Sequence, residues 1–126
     1  MAVKLTQLER AALEQFGSIY AHGVGDLAAQ LQHASVASRE NTGGGFFTDL
    51  MIDRALARPV FCPSPLDNLM VRVDGMVGEL EFLLFSRDGY AYLLEAYAIQ
   101  GDDTAGIDFE TAAFGPITFG QSTKAT

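Results

Sequence analysis

Leu80-Glu81-Phe82-Leu83-Leu84-Phe85-Ser86-Arg87-Asp88-Gly89-Tyr90-Ala91-Tyr92-Leu93-Leu94-Glu95-Ala96-Tyr97-Ala98-Ile99 is the stretch that decides the fold. Two apolar runs meet across Arg87-Asp88-Gly89, and Asp-Gly between such runs is the signal of a two-residue type I′ turn. With Asp88 and Gly89 as the loop, Arg87 pairs with Tyr90, Phe85 with Tyr92, Leu83 with Leu94, and Phe82 with Glu95. Side chains alternate between the two faces of a strand. One face then carries Leu80, Phe82, Leu84, Ala91, Leu93, Glu95, Tyr97 and Ile99. The other carries Glu79, Glu81, Leu83, Phe85, Tyr90, Tyr92, Leu94 and Ala96. Both are apolar along their middle, whereas a sheet covered on one side shows a polar residue at every second position. One face is therefore expected against helices, the other against the C-terminal segment, a second subunit or a ligand.

Working outward, Leu69 to Asp74 alternates and reads as a strand, with Asp74-Gly75 and Gly78 marking a turn or bulge. Phe46 to Asp53 is a further strand, with Phe46, Thr48, Leu50 and Ile52 on one side and Phe47, Asp49, Met51 and Asp53 on the other. Between these strands, Pro59, Pro63 and Pro65 make Arg54 to Asn68 a loop or an edge excursion. From Val36 to about Glu40 the pattern does not decide the type, an irregular strand being one reading. Ile107 to Phe119 adds one or two short strands around Gly115-Pro116. Near the N-terminus, Thr6-Gln7-Leu8-Glu9 is a capping box. Leu5, Leu8, Ala12, Phe16 and Ile19 follow at helical spacing, so a helix is expected over Gln7 to Tyr20, broken by Gly23 and Gly25. Asp26 suits the N-cap of a short second helix, Leu27 to about His33. The expected fold is α+β, with N-terminal helices packed on a four- to five-stranded antiparallel sheet. It forms a single domain over 1–120, and 121–126 is a loose tail.

The chain has 126 residues, of which 48% are hydrophobic and 19% charged. That length and balance suit one globular domain able to bury a core without disulfides or metal. The net charge of −8 argues against nucleic acid, whose phosphates call for Lys and Arg, and against anionic membrane surfaces. It leaves room for a basic protein partner. One cysteine, Cys62, permits no intrachain disulfide and fits a reducing compartment. The N-terminus has no signal-peptide block and no apolar run nears 18 residues, so a cytoplasmic protein without membrane contact is expected.

Glu95 is the unusual residue in this register, a carboxylate among Phe82, Leu93 and Tyr97. Burial of a lone carboxylate is costly, so it needs a partner. Arg72, His33 or backbone N–H groups could serve. Glu95, Tyr97 and Arg72 are thus the candidate ligand-binding residues, though a structural hydrogen-bond anchor is the favoured reading of Glu95. Leu83, Phe85, Tyr92 and Leu94 are the candidate homodimer interface, since large open apolar patches mark contacts.

Other candidates are weaker. Gly43-Gly44-Gly45 lacks the Lys and Ser/Thr of a phosphate loop and precedes a strand. His22 and His33 flank different elements. Glu79, Glu81 and Asp74 could offer oxygens to a hard cation, but like charges on a solvated strand end explain them as well. Cys62 has no cationic neighbour in sequence, and Ser64 and Ser86 lack a nucleophile elbow. Asp102, Asp103 and Asp108 read as a solvated acidic turn that could meet a basic partner. No catalytic set, metal site or cofactor is indicated.

From Gly25 to about Tyr97 the chain resembles a family of small, functionally uncharacterised bacterial proteins. The stretches that carry this are Asp26-Leu27-Ala28-Ala29-Gln30-Leu31, Asp74-Gly75, Leu83-Leu84-Phe85-Ser86-Arg87-Asp88-Gly89-Tyr90 and Leu94-Glu95-Ala96-Tyr97. The resemblance implies an α+β fold and no assigned activity. Cysteines common in that family between the short helix and the next strand are missing from Arg39 to Gly45, so a metal or redox role tied to them does not carry over. The functional expectation is a non-enzymatic interaction or regulatory module acting as a homodimer. The alternative is a small-molecule binder or minor enzyme with a pocket between helix and sheet, with Glu95 as its polar group.

Overall fold

The computed structural model describes residues 4–20, 26–61, 63–73, 75–112 and 117–119. Helix α1 (Gln7–Ile19) opens on the capping box. The Thr6 hydroxyl accepts from the Glu9 N–H at 3.1 Å, and the Glu9 carboxylate accepts from the Thr6 N–H at 2.8 Å. Its stripe of Leu8, Ala12, Leu13 and Phe16 is buried. Helix α2 (Leu27–Leu31) stops short of His33, and the Asp26 side chain makes no capping hydrogen bond.

Among the described residues six strands follow: β1 (Ala34–Asn41), β2 (Gly45–Ile52), β3 (Leu66–Val73), β4 (Leu80–Arg87), β5 (Tyr90–Ala98) and β6 (Ile117–Phe119). They form one antiparallel sheet in the order β1-β2-β5-β4-β3-β6. The sheet thus has six strands rather than four or five. The irregular segment at Val36 is a full eight-residue edge strand, and Ile117–Phe119 closes the other edge. Gly23, Gly25, Asp74, Gly115, Pro116 and the tail 121–126 lie outside the described residues.

At the hairpin, Asp88 and Gly89 have φ of 56° and 85°, as a type I′ turn requires, and Arg87 pairs with Tyr90. Beyond that first rung the pairing departs from the expectation. Ser86 faces Ala91 but Phe85 faces Leu93, so Tyr92 is an extra residue in β5. Such a bulge shifts the register of everything beyond it by one. Leu84 therefore meets Leu94, Leu83 meets Glu95, Phe82 meets Ala96 and Glu81 meets Tyr97. Leu94 and Ala96 move inward, while Leu93, Glu95 and Tyr97 move to the face of Leu83 and Phe85. Two further slips occur, at Ala37 in β1 and at Asp67-Asn68 in β3, where Asn68 takes a φ of 64°.

The inner face joins the helices in one buried cluster. Leu8, Ala12, Leu13, Phe16, Leu27 and Leu31 belong to it together with Phe46, Leu50, Leu69, Val71, Phe82, Leu84 and Leu94. Among the described residues no helix is long and apolar enough to cross a membrane.

Gln30 locks α2 to the hairpin. Its amide donates to the Arg58 and Gly89 carbonyls at 2.9 and 2.8 Å, and its Oε1 accepts from the Ala91 N–H at 3.0 Å. The Gly89 carbonyl also accepts from the Val60 N–H. A Cβ on Gly89 would lie 2.6 Å from the Pro59 Cβ, and φ there is positive. Gly89→Ala is therefore expected to cost about 2 kcal/mol in chemical denaturation, from backbone strain and the collision together. An unchanged midpoint would show that the Pro59 loop yields freely.

Candidate functional site

The outer face of the sheet is built from the alternate residues that the core does not claim. The measured register sets them in three rows. The first is Tyr97, Glu81 and Met70. The second is Phe47, Glu95 and Leu83. The third is Asp49, Leu93 and Phe85, with bulged Tyr92 beside Phe85 at a ring separation of 6.5 Å. Phe47, Met70, Leu83, Phe85, Tyr92 and Leu93 are half-buried. None of them belongs to the buried cluster that includes the helices. Glu81, Glu95 and Asp49 run diagonally across three neighbouring strands, at the spacing of side chains that still interact.

The bulge redistributes the residues singled out from the sequence. Leu83, Phe85 and Tyr92 share the outer face, but Leu94 is fully buried in the core and cannot be part of a surface. Glu95 does not face Phe82, whose partner is Ala96. It sits half-buried between Phe47 and Leu83, on the side away from the helices. A pocket between helix and sheet that uses Glu95 is therefore corrected: the extra residue at Tyr92 turned the carboxylate outward.

Tyr97 shares that outer face. Its hydroxyl donates to the Glu81 carboxylate at 2.5 Å, and its pKa is pushed up to about 12. The hydrogen bond to Glu81 contributes most, followed by burial and the negative charges of Glu81, Glu95 and Asp67. Arg72 lies two strands from Tyr97, at the β3–β6 edge opposite Thr118. The trio Glu95, Tyr97 and Arg72 is thus on one face but not gathered into one site. Cys62, His22 and Asp74 lie outside the described residues. Among the described residues no group of three or more His, Cys, Asp or Glu is set to hold a metal ion.

Of the polar residues with the most elaborate environment, the sequence showed Glu9 only as the end of a capping box and not its pairing with Arg39 and Thr48. Glu9 is fully buried and receives both ends of the Arg39 fork, Nε and Nη2, each at 2.6 Å. The Thr48 hydroxyl donates to the same carboxylate at 2.5 Å. Arg39 extends the network to the Lys4 carbonyl and to Glu110, both at 3.1 Å. Burial pushes the Glu9 carboxyl upward, but hydrogen bonds from Arg39, Thr48 and the Thr6 backbone, with the charge of Arg39, hold it below its ordinary value. This network ties α1, β1 and β2 together through hydrogen bonds to both Glu9 oxygens, which fits a structural role. The available signal was Thr48, a polar residue on the otherwise apolar inward side of β2.

A second polar centre fixes the loop after β5. The Asn41 amide donates to the Thr104 and Ile107 carbonyls, and its oxygen accepts from the Gly43 N–H and the Thr104 hydroxyl. No protein-family model, curated protein or solved structure matches the chain.

Proposed function

We propose that the chain is a non-enzymatic protein-interaction module whose docking surface is the outer face of the sheet. One observation carries this: six large apolar side chains occupy that face, outside the buried cluster, with a diagonal of three carboxylates through their middle. Burying such side chains is favourable at about 25 cal/mol per Å². The carboxylates select what does the burying. A partner with apolar and basic side chains in alternation satisfies both, whereas charge of the same sign opposite Glu95 would be repelled. The single cysteine and the acidity suit a reducing, cytoplasmic setting.

A second copy of the chain is the other occupant the face suits. The third row brings Tyr92, Leu93 and Phe85 together at one end, with Asp49 beside Leu93 at its margin, and two copies can meet there with Glu81 and Glu95 outside the contact.

The test combines light scattering with NMR titration of a synthetic peptide alternating Lys and Val, against its Glu–Val counterpart. The expected result is shifts confined to Phe47, Leu83, Leu93 and their neighbours with the basic peptide, lost in Leu83→Asp. A dimeric mass abolished by Phe85→Asp would instead assign the face to a second copy. Scattered shifts that survive Leu83→Asp, in a monomer, would end the reading. Both variants should fold with less than about 1 kcal/mol lost, because these residues lie outside the core, whereas Leu94→Asp should unfold the chain.

A further inference from the structure

The β2–β5 ladder stops at Asp49 and Leu93, yet both strands continue. Leu50, Met51 and Ile52 pair only with β1, while Tyr90 to Tyr92 turn away through the bulge. The sheet opens there into a cleft of about 320 Å³ between the two strands. Its lining includes two charged residues, both arginines: Arg54, just past β2, and Arg87, at the end of β4. Each guanidinium is held against an aromatic ring, Arg54 over Tyr90 and Arg87 over Tyr92, both 4.2 Å from the ring centroid.

We propose that this cleft binds a compact, doubly charged oxyanion, a phosphate monoester or a dicarboxylate, between the Arg54 and Arg87 guanidinium groups. A guanidinium is planar and carries its donors around its rim, so stacking against a tyrosine orients those donors and leaves them available. Phosphate and carboxylate match that fork with two parallel hydrogen bonds. No acid is among the described residues that line the cleft; of the acids close in sequence, the Asp49 carboxylate accepts from the Ser38 hydroxyl at 2.6 Å and the Asp53 carboxylate from the Ala55 N–H at 3.0 Å. The ion pairs among the described residues both belong to Arg39. In a chain with sixteen acidic and eight basic residues, two stacked arginines thus share a concave site without a carboxylate between them. One face of each tyrosine is covered by an arginine, and the guanidinium forks are the groups that would recognise the anion.

The cleft shares Tyr92 with the third apolar row, but the anion site itself rests on the two arginines. Its test is NMR titration at constant ionic strength with inorganic phosphate and, separately, malonate, following the ring signals of Tyr90 and Tyr92. Saturable shifts below about 10 mM are expected with at least one of them and none with chloride. The Arg54→Gln, Arg87→Gln double variant should weaken binding by at least about tenfold at unchanged molecular mass. The double lysine variant, which keeps charge but loses the fork, should fall between. Tighter phosphate assigns the site to phosphate esters, and tighter malonate to carboxylates. Failure of both anions to saturate, or equal binding in the glutamine variant, overturns the proposal.

Discussion

Arg39→Ala is expected to lower the unfolding free energy by about 3–5 kcal/mol, read as a reduced urea midpoint at unchanged slope. The Arg39 side chain is 6% exposed and that of Glu9 not at all. Removing the arginine therefore leaves a buried carboxylate without its charge partner, held only by the Thr48 hydroxyl and the Thr6 N–H. Replacing both residues with leucine should cost less than the single change, since no orphaned charge remains. A double variant no more stable than Arg39→Ala would show that the loss comes from packing.

The same pair sets an acid dependence. The folded-state pKa of Glu9 lies below the ordinary value of 4.5, so the unfolded chain takes up a proton more readily. The stabilisation is complete above the unfolded value and is lost as pH falls through the lower folded one. In Arg39→Ala burial acts with less opposition, the carboxyl moves up, and acid unfolding should begin at a higher pH than in the parent. An unshifted acid transition would contradict this assignment.

Gly45→Ala is expected to have the other large effect: a loss above about 4 kcal/mol, or no folded protein at all. Gly45 lies opposite Tyr97 with φ of 153°, and a Cβ there would stand 1.9 Å from the Ala96 carbonyl oxygen and 2.7 Å from the Tyr97 Cα. These are backbone atoms of a central strand, so relief means opening the β2–β5 ladder. Gly44 supplies the control, with nothing within 4 Å of its added Cβ. Gly44→Ala should change thermal stability by no more than about 0.5 kcal/mol. Equal melting temperatures for the two variants would show that the ladder accommodates the methyl.

The capping box and the Asp-Gly turn were legible because each is a local device whose residues lie within four positions of one another. The inward side of β2 was legible for a related reason: Phe46, Thr48 and Leu50 alternate with Phe47, Asp49 and Met51, and the pattern runs unbroken. The bulge at Tyr92 was not legible. Ala91-Tyr92-Leu93-Leu94 contains no polar residue to betray which side chain is extra, so either register looks equally greasy. That one slip exchanged Leu94 for Leu93 on the outer face and took Glu95 out of the core. The Glu9–Arg39 pair escaped notice because thirty residues separate its members and Arg39 lies in the strand with the least regular pattern. The arginine cleft escaped because it exists only where two strands part, a property of pairing rather than of spacing.

The register slip at Ala37 has a consequence for the molecule in bulk. An outermost strand with a straight row of unused amides invites another chain to add on, and repetition of that step grows a fibre. Here β1 bends at Ala37 and carries Arg39 and Glu40, while β6, among the described residues, pairs with β3 over Ile117–Phe119. Neither rim is a good template, so concentrated solutions should resist polymerising by strand addition.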